Sequence, residues 1–529
     1  MRRINTNHLA IIFVLATTLS CSDDFLERAP LDKPSMDTFW SSPEQAEMWV
    51  NYLYQVTPNS ATGLMGVDVT TQEAYSDNAY GRTNRARNSI ATGTFEPNDA
   101  HVANVWNYRN IRLCHEFFEY VGRVPGMPEA KLKELSGQVK FLLAFEYYKL
   151  TTRFRDVPLV KSALNVNESD VGVSPKAEVV AYLLDQLDEA IDMLPLSYPA
   201  GQEGRITKGA ALFLKTRVLL YNERWAEAAA TAKQLMDLSI YELHPNFEEL
   251  FRTAFNNRKK GVILEIQYVE NLFTHDISLR FSPVMFNAHA LIQPTPELVE
   301  SFEMIDGLSI HESPLYDPAH PFDNRDPRFY HTFLWHGEML NETLPPLDLT
   351  GTEQNFAFTY VYFRKGIVDF RDRFRPMHLN WNLFRYADLL LMYAEAKNEA
   401  SGPDDSIYDA LDLIRQRAGM PPVDRVRYAD QASLRSFIRN ERRVELAGEG
   451  HRYDDIIRWR IAEDVLNINL TSMDLSQWAD GPVDGQGEPL LKPRQVETRF
   501  FNPSRHYVWP IPQKAIDQSD LLQQHPEWR

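Results

Sequence analysis

The sequence predicts a mostly α protein: a scaffold of helix pairs interrupted by one large irregular insert and closed by an irregular tail. Three observations carry that expectation. Apolar residues recur at helical spacing over most of the first 240 positions and again from about 381 to 460. Two stretches each read as two helices joined by a tight polar connection, with alanines on the facing sides. Between roughly 244 and 380 the helical period is lost, and prolines, aromatics and short β-like runs replace it.

Taken in order, the first helix begins at Ser41–Ser42, with Pro43 suited to a first turn and Glu44 favourable to the helix dipole. Its apolar positions are Ala46, Val50, Leu53 and Tyr54. Residues 57–100 are rich in Gly, Asn, Ser and Thr without sustained period, as expected of a functional or disordered segment. Helices resume with "HVANVWNYRNIRLCHEFFEYV" and "PEAKLKELSGQVKFLLAFEYYKLTTRF", then "SPKAEVVAYLLDQLDEAIDMLP". The segment "RITKGAALFLKTRVLLYNERWAEAAATAKQLMDLS" predicts two helices joined near Asn222-Glu223-Arg224, with Ala210, Ala211, Ala226, Ala229 and Ala232 allowing close approach. The design returns in "RYADLLLMYAEAKNEASGPDDSIYDALDLIRQRAGMPPV" with Ala387, Ala394 and Ala396. Helix-turn-helix units of about 34 residues with small packing residues predict degenerate tetratricopeptide-type repeats, three or four in number. The insert, about 244–380, contains "GVILEIQYVE" and "FAFTYVYFRKG" as short strands. The tail, 461–529, is irregular.

The extremes of the chain bear on location. Arg2 and Arg3 precede an apolar run from Leu9 to Leu19, too short for the ~20 residues that span a bilayer and suited to a secretory signal over 1–20. Cys21 follows in Thr18-Leu19-Ser20-Cys21, which resembles a bacterial lipoprotein signal. The expectation is an acylated Cys21 at the head of a polar tether, 21–40, and a body spanning 41–529. Asp23 and Asp24 resemble a surface-export signal of Bacteroidetes lipoproteins.

Composition excludes some partners. Hydrophobic residues make up 44% and charged residues 24%, ordinary for a globular chain. A net charge of -18 argues against nucleic acid. With two cysteines there is no disulfide framework, and Cys114 reads as a buried, inert thiol. "HEFFE" lacks the second histidine of a zinc-protease helix. There is no phosphate loop, no G-x-S-x-G elbow and no Cys/His zinc cluster. Asp- and Asn-rich loops admit a structural calcium ion, but none has EF-hand spacing; no other cofactor is expected. In "RNERRVELAGEGHRYDDIIRW" Glu441 and Glu445 fall on an apolar stripe, so partners are expected among Arg442, Arg443, Arg452 and Arg458. Arg325 and Arg328 of "NRDPRFY" are expected to pair locally with acids.

Several long motifs, in order, resemble the SusD/RagB family of Bacteroidetes outer-membrane lipoproteins. They are "DFLERAP", "PTPELVESFEMIDG" followed by "NRDPRFYHTFLWHG", "RYADLLLMYAEAKNE", "FIRNERRVELAGEGHRYDDIIRW", "YVWPIPQKAI" and "QHPEW". His115 departs from the family pattern, where an Asn is usual, and implies a changed local hydrogen bond.

The resemblance implies a SusD-like fold and a cell-surface lipoprotein, held to the membrane by its lipid anchor only. Such a protein captures an oligosaccharide or polysaccharide and delivers it to a TonB-dependent SusC-like transporter without catalysis. Sugar binding needs flat rings under the pyranose and planar polar groups bridging its hydroxyls. The resemblance places these in the first long loop and the central insert. The candidates there are Tyr75, Asp77, Asn78, Tyr80 and Arg82, then Phe286, Tyr316, Trp335 and Tyr360, with Trp478 in the tail. Phe273, His275, His289 and Tyr362 are secondary insert candidates. Two alternatives stay open, a surface glycoside hydrolase using two of the 73 acids and a peptide-uptake or adhesion protein on the same scaffold.

Overall fold

The longest helix organises the chain. In the computed structural model, which describes residues 39–54, 69–82, 89–257, 259–367 and 377–529, α3 (Glu129–Phe154) packs on α1 (Pro43–Tyr54) and α2 (Arg109–Tyr120) with one face. Its other face lies on α4 (Lys176–Met193). Flanked on both sides, its second half is buried nearly all round, Glu146, Thr151 and Arg153 included. Gly137 makes the α3–α4 contact close: a Cβ there would meet the Met193 Cβ at 2.9 Å and Leu194 Cγ at 3.0 Å.

The stack continues in sequence order. α4 packs on α5 (Lys208–Tyr221), and α5 on α6 (Trp225–Asp237), joined at Asn222-Glu223-Arg224 with Glu223 at φ 57°. Alanines 210, 211, 228 and 232 are buried between them. The next helix in space is α7 (Tyr386–Ser401), nearly 150 positions later. It carries α8 (Asp405–Ala418), capped by the Asp404 side chain and ended by Gly419 at φ 79°, and α9 (Gln431–Glu445), capped by Asp430. The predicted helix pairs are therefore real. Helix amounts to 45% of the structure and strand to 9%, a mostly α class. Among the described residues no helix is long and apolar enough to cross a membrane.

The insert leaves after α6 and returns just before α7 through an antiparallel pair, β4 (Val262–Ile266) with β8 (Trp381–Arg385). This ladder restores the helical stack across the interruption. The remaining strands are also short pairs: β1 (Ala79–Gly81) with β5 (Ile292–Pro294), β2 (Val157–Pro158) with β3 (Val173–Ser174), β6 (Phe333–Leu334) with β7 (Tyr362–Phe363), and β9 (Asn469–Thr471) with β10 (Gln495–Thr498). "GVILEIQYVE" and "FAFTYVYFRKG" supply β4 and β7 as expected. One apolar core runs through scaffold, insert and tail, with Phe247, Leu250 and Phe251 forming a small satellite.

Buried ion pairs tie the scaffold to the insert, with partners different from those expected. Glu441 accepts from Arg328 at 2.6 Å and Arg415 at 3.0 Å. Glu445 accepts from Arg328 at 3.1 Å, Arg385 at 2.9 Å and Arg417 at 2.7 Å. Arg442 turns to Asp388 of α7 and to Asp455, and Arg458 to Glu395 and Asp455. Arg443 lies two positions from each glutamate and Arg442 next to Glu441, spacings that do not face each other, and Arg442, three positions before Glu445, is taken up by Asp388 and Asp455. Arg328 does pair locally, with Asp326, which also caps the short helix Pro327–Thr332. Arg325 departs from expectation: it donates to the carbonyls of Pro321, Val299 and Phe302 and not to an acid. Cys114 is buried, and burial raises its thiol pKa well above the ordinary value. The His115 ring nitrogen meets the Val160 carbonyl at 2.9 Å, the local hydrogen bond implied by the departure at that position.

Candidate glycan-facing site

The site is built around one buried amide. Gln293 of β5 lies opposite Tyr80 of β1 and is fully buried. Its Nε2 donates to Phe356 O at 2.7 Å and to Ala290 O at 3.1 Å; its Oε1 accepts from Phe358 N at 2.9 Å and Thr359 N at 3.2 Å. One side chain thus fixes the backbone of 356–359 against the first loop. The strand pair is itself pinned by Thr295, whose Oγ1 donates to Asp77 O at 2.6 Å and whose N–H donates to Asn78 O at 3.0 Å.

The clamp presents rings and guanidinium groups together. Phe356 and Phe358 are half-buried at the surface, alongside Arg82 and Arg494. Arg82 lies over Phe356 at 4.7 Å, and Tyr80 is 5.2 Å from Phe358. Arg494 stands over Phe358 at 5.7 Å and Tyr360 at 5.2 Å, and donates to Ala357 O at 2.7 Å. Tyr80, Tyr360 and Tyr362 form the buried floor. Burial raises the Tyr80 pKa, with Glu497 adding to the shift and Arg82, Arg499 and Arg494 opposing it. The Tyr360 hydroxyl donates to Lys492 O at 2.9 Å, and the Tyr362 hydroxyl donates to Glu353.

A second aromatic group follows β6. Trp335 is buried and stacks on Phe322 at 4.8 Å; Trp478 meets the same Phe322 edge-on at 5.1 Å and stands 6.1 Å from His336. Trp478 and His336 keep part of their ring faces exposed. Ala479 N donates to Ala319 O at 2.9 Å, which seats the tail loop on the insert. Tyr316, half-buried, lies within electrostatic reach of Asp474, four residues before Trp478.

The other candidates point inward. Tyr75 packs edge-on against Tyr453 and Trp509. Asp77 accepts from Arg452 at 2.8 Å through both oxygens and pairs with Arg443 at 2.9 Å. Asn78 bridges Glu73 and Arg443. Phe286 is buried in a turn whose 284 and 285 amides donate to Glu353. His275 is buried between Leu379 O and Ile277 N, and Phe273 stacks on Tyr268. Cys21 and the tether up to residue 38 lie outside the described residues. Among the described residues no group of three or more His, Cys, Asp or Glu is disposed to hold a metal.

Phe356, Phe358, Arg494 and Gln293 were not among the sequence candidates. For the two rings part of the signal was present: Phe356, Phe358, Tyr360 and Tyr362 alternate, although only Tyr362–Phe363 forms a strand and the chain turns at Tyr360, φ 70°.

Comparison with known proteins bears on what such a face serves. A model described as "SusD family" matches residues 257–528, just over half the chain. The chain belongs to the SusD family. A second model, "Starch-binding associating with outer membrane", matches residues 24–220. This SusD-family chain is 24% identical to SusD-like protein P25 of Formosa agariphila, over 87% of itself and 91% of that protein. A crystal structure of a SusD-like protein from Bacteroides fragilis shares 27% identity at a TM-score of 0.80, covering 94% of this chain and all of that one. A SusD-like carbohydrate binding protein from the same species shares 27% identity at a TM-score of 0.77, covering 93% and 100%. Membership places the SusD-family chain in a carbohydrate-binding, outer-membrane-associated family.

Proposed function

We propose that the protein is a lipid-anchored, cell-surface glycan binder that captures an oligosaccharide or polysaccharide and hands it to a TonB-dependent SusC-like transporter, without bond chemistry. The observation that carries the reading is the Phe356–Phe358 surface, clamped by Gln293 and flanked by Arg82 and Arg494. Rings offer the apolar face of a sugar a stacking partner, and guanidinium groups bridge adjacent hydroxyls. Trp478 with His336 supplies a second ring surface. SusD-family membership and the carbohydrate-binding relative support the same reading.

Affinity electrophoresis against a polysaccharide panel tests it. Retardation by at least one glycan, weakened in Phe358→Ala or Trp478→Ala, is the expected result. Unchanged retardation in both variants would move the site elsewhere. New reducing ends during incubation would replace binding by hydrolysis. Acyl labelling lost in Cys21→Ala, and co-purification with a transporter from solubilised outer membranes, test the anchor and the partner.

A further inference from the structure

Two guanidinium groups on this face lack a carboxylate partner among the described residues. Arg82 makes only the ring contact with Phe356, and its buried Nη1 has no hydrogen-bond partner. Arg494 donates to one carbonyl, Ala357 O, and its buried Nε has none. Elsewhere most buried arginines are matched to acids: Arg217 with Asp388, Arg328 with Asp326 and Glu441, Arg385 with Glu445 and Glu449, Arg452 with Asp77; buried Arg325, without an acid, is held by three carbonyls. The chain carries 73 acids against 55 Lys and Arg, so acids are in surplus. Two unpaired cations bracketing 356–358 are therefore a local reversal of the chain's charge.

The carboxylates facing the cluster are already engaged. Glu353 accepts from the amides of Val284 and Met285 and from the Tyr362 hydroxyl. Glu497 pairs with Arg499 at 2.9 Å, and Arg499 also donates to Ser76 O and Ala79 O. Apart from the buried Arg82 Nη1 and Arg494 Nε and the bonded Arg494 Nη2, Arg82 keeps Nε and Nη2 and Arg494 keeps Nη1 as donors, and a guanidinium held against a ring matches a carboxylate or sulfate in charge-assisted hydrogen bonds.

We propose that this site takes an anionic glycan, one bearing uronate carboxylates or sulfate esters, with Arg82 and Arg494 as its paired anion contacts and Phe356 and Phe358 beneath the sugar. The proposal rests on the glycan-binding reading and names its ligand class. Binding would relieve the repulsion between two uncompensated cations, so affinity falls with added salt.

The test measures binding of polygalacturonate and alginate (uronates), chondroitin sulfate and carrageenan (sulfated), and starch, laminarin and xylan (neutral), at low and high salt. The expected result is preferential binding of an acidic polymer, weakened by salt. Arg82→Gln and Arg494→Gln should each reduce it about tenfold, the scale of a lost charged hydrogen bond, at unchanged melting temperature. Arg82→Lys and Arg494→Lys, which keep the charge but lose the fork, should fall between. The uronate and sulfate arms identify the anion. Binding of neutral glycans alone, or acidic binding indifferent to both Gln variants, overturns the anionic assignment and leaves the glycan reading standing. Retention by no polymer at all overturns both.

Discussion

At the residue scale, two buried side chains hold the surroundings of the first loop: Gln293 fixes 356–359 against β5, and Asp77 ties the loop to Arg443 and Arg452. Gln293→Ala would leave the Thr359 amide and the Ala290 carbonyl without their partner and the Phe358 amide and Phe356 carbonyl with only their mutual 3.1 Å contact, at about 1–3 kcal/mol. The expected outcome is a small loss of stability by urea unfolding and a larger loss of glycan affinity, because the rings lose their fixed spacing. Asp77→Asn should cost more, about 3–5 kcal/mol, since it strands Arg443 and Arg452 beside a neutral amide. Burial alone would raise the Asp77 pKa, but Arg443 and Arg452 outweigh it and hold the carboxyl well below the usual range. The candidates in "YSDNAYGR" show why sequence legibility ends at this scale. Residue type marked the stretch as interesting, and strand alternation gave no means of telling which side faces out. Asp77 and Asn78 went to buried arginines more than 360 positions away, contacts that no local pattern encodes.

At the scale of elements, the helices were legible because each is periodic within its own span. The joint near Asn222 and the pair after Arg385 needed nothing beyond spacing and small residues. The pairing of α6 with α7 was not legible, because it depends on the β4–β8 ladder closing across the insert. The ion-pair cluster on α9 is the element-scale test. Glu445→Ala leaves Arg328, Arg385 and Arg417 without their shared acceptor. A loss of about 3–5 kcal/mol is expected in chemical denaturation, whereas Glu445→Gln, which keeps an acceptor oxygen, should lose less. Gly209→Ala tests a close contact instead. A Cβ at Gly209 would meet the Tyr241 hydroxyl and, at 2.6–2.8 Å, its ring carbons, so the side chain must move and the α5 start should loosen. Amide exchange confined to the first turn of α5 would show it.

At the scale of the whole molecule, acid should destabilise the fold in a window set by buried histidines, opposed in part by Glu303, whose carboxyl is pushed up to about 7 by burial. Burial holds the His275 imidazole down to about 4, with His378 and Lys259 adding to the shift. Burial and Arg505 hold His506 at about 4. The unfolded imidazole titrates near 6.5. The unfolded chain therefore binds these protons first as pH falls, and stability present above pH 6.5 is lost progressively down to about 4, at ~1.4 kcal/mol per unit for each group. Urea midpoints between pH 7 and 4.5 should show the decline, and His275→Gln should flatten part of it. No decline across that window would contradict this account.

The stitching of the first loop to the tail sets an order of events in the life of the chain. Arg499 grips the carbonyls of Ser76 and Ala79 across 423 and 420 positions, and Arg452 grips Asp77 across 375. Until the last tenth of the polypeptide has been made, the segment that carries Tyr80 and Arg82 has β5 to pair with but lacks both Arg494 and the Arg499 grip. Contacts this distant form late and slowly. A ribosome-bound or partly translocated chain would thus hold a growing helical stack but no binding face, and stopping synthesis short of Arg499 should yield helical circular dichroism without glycan retention.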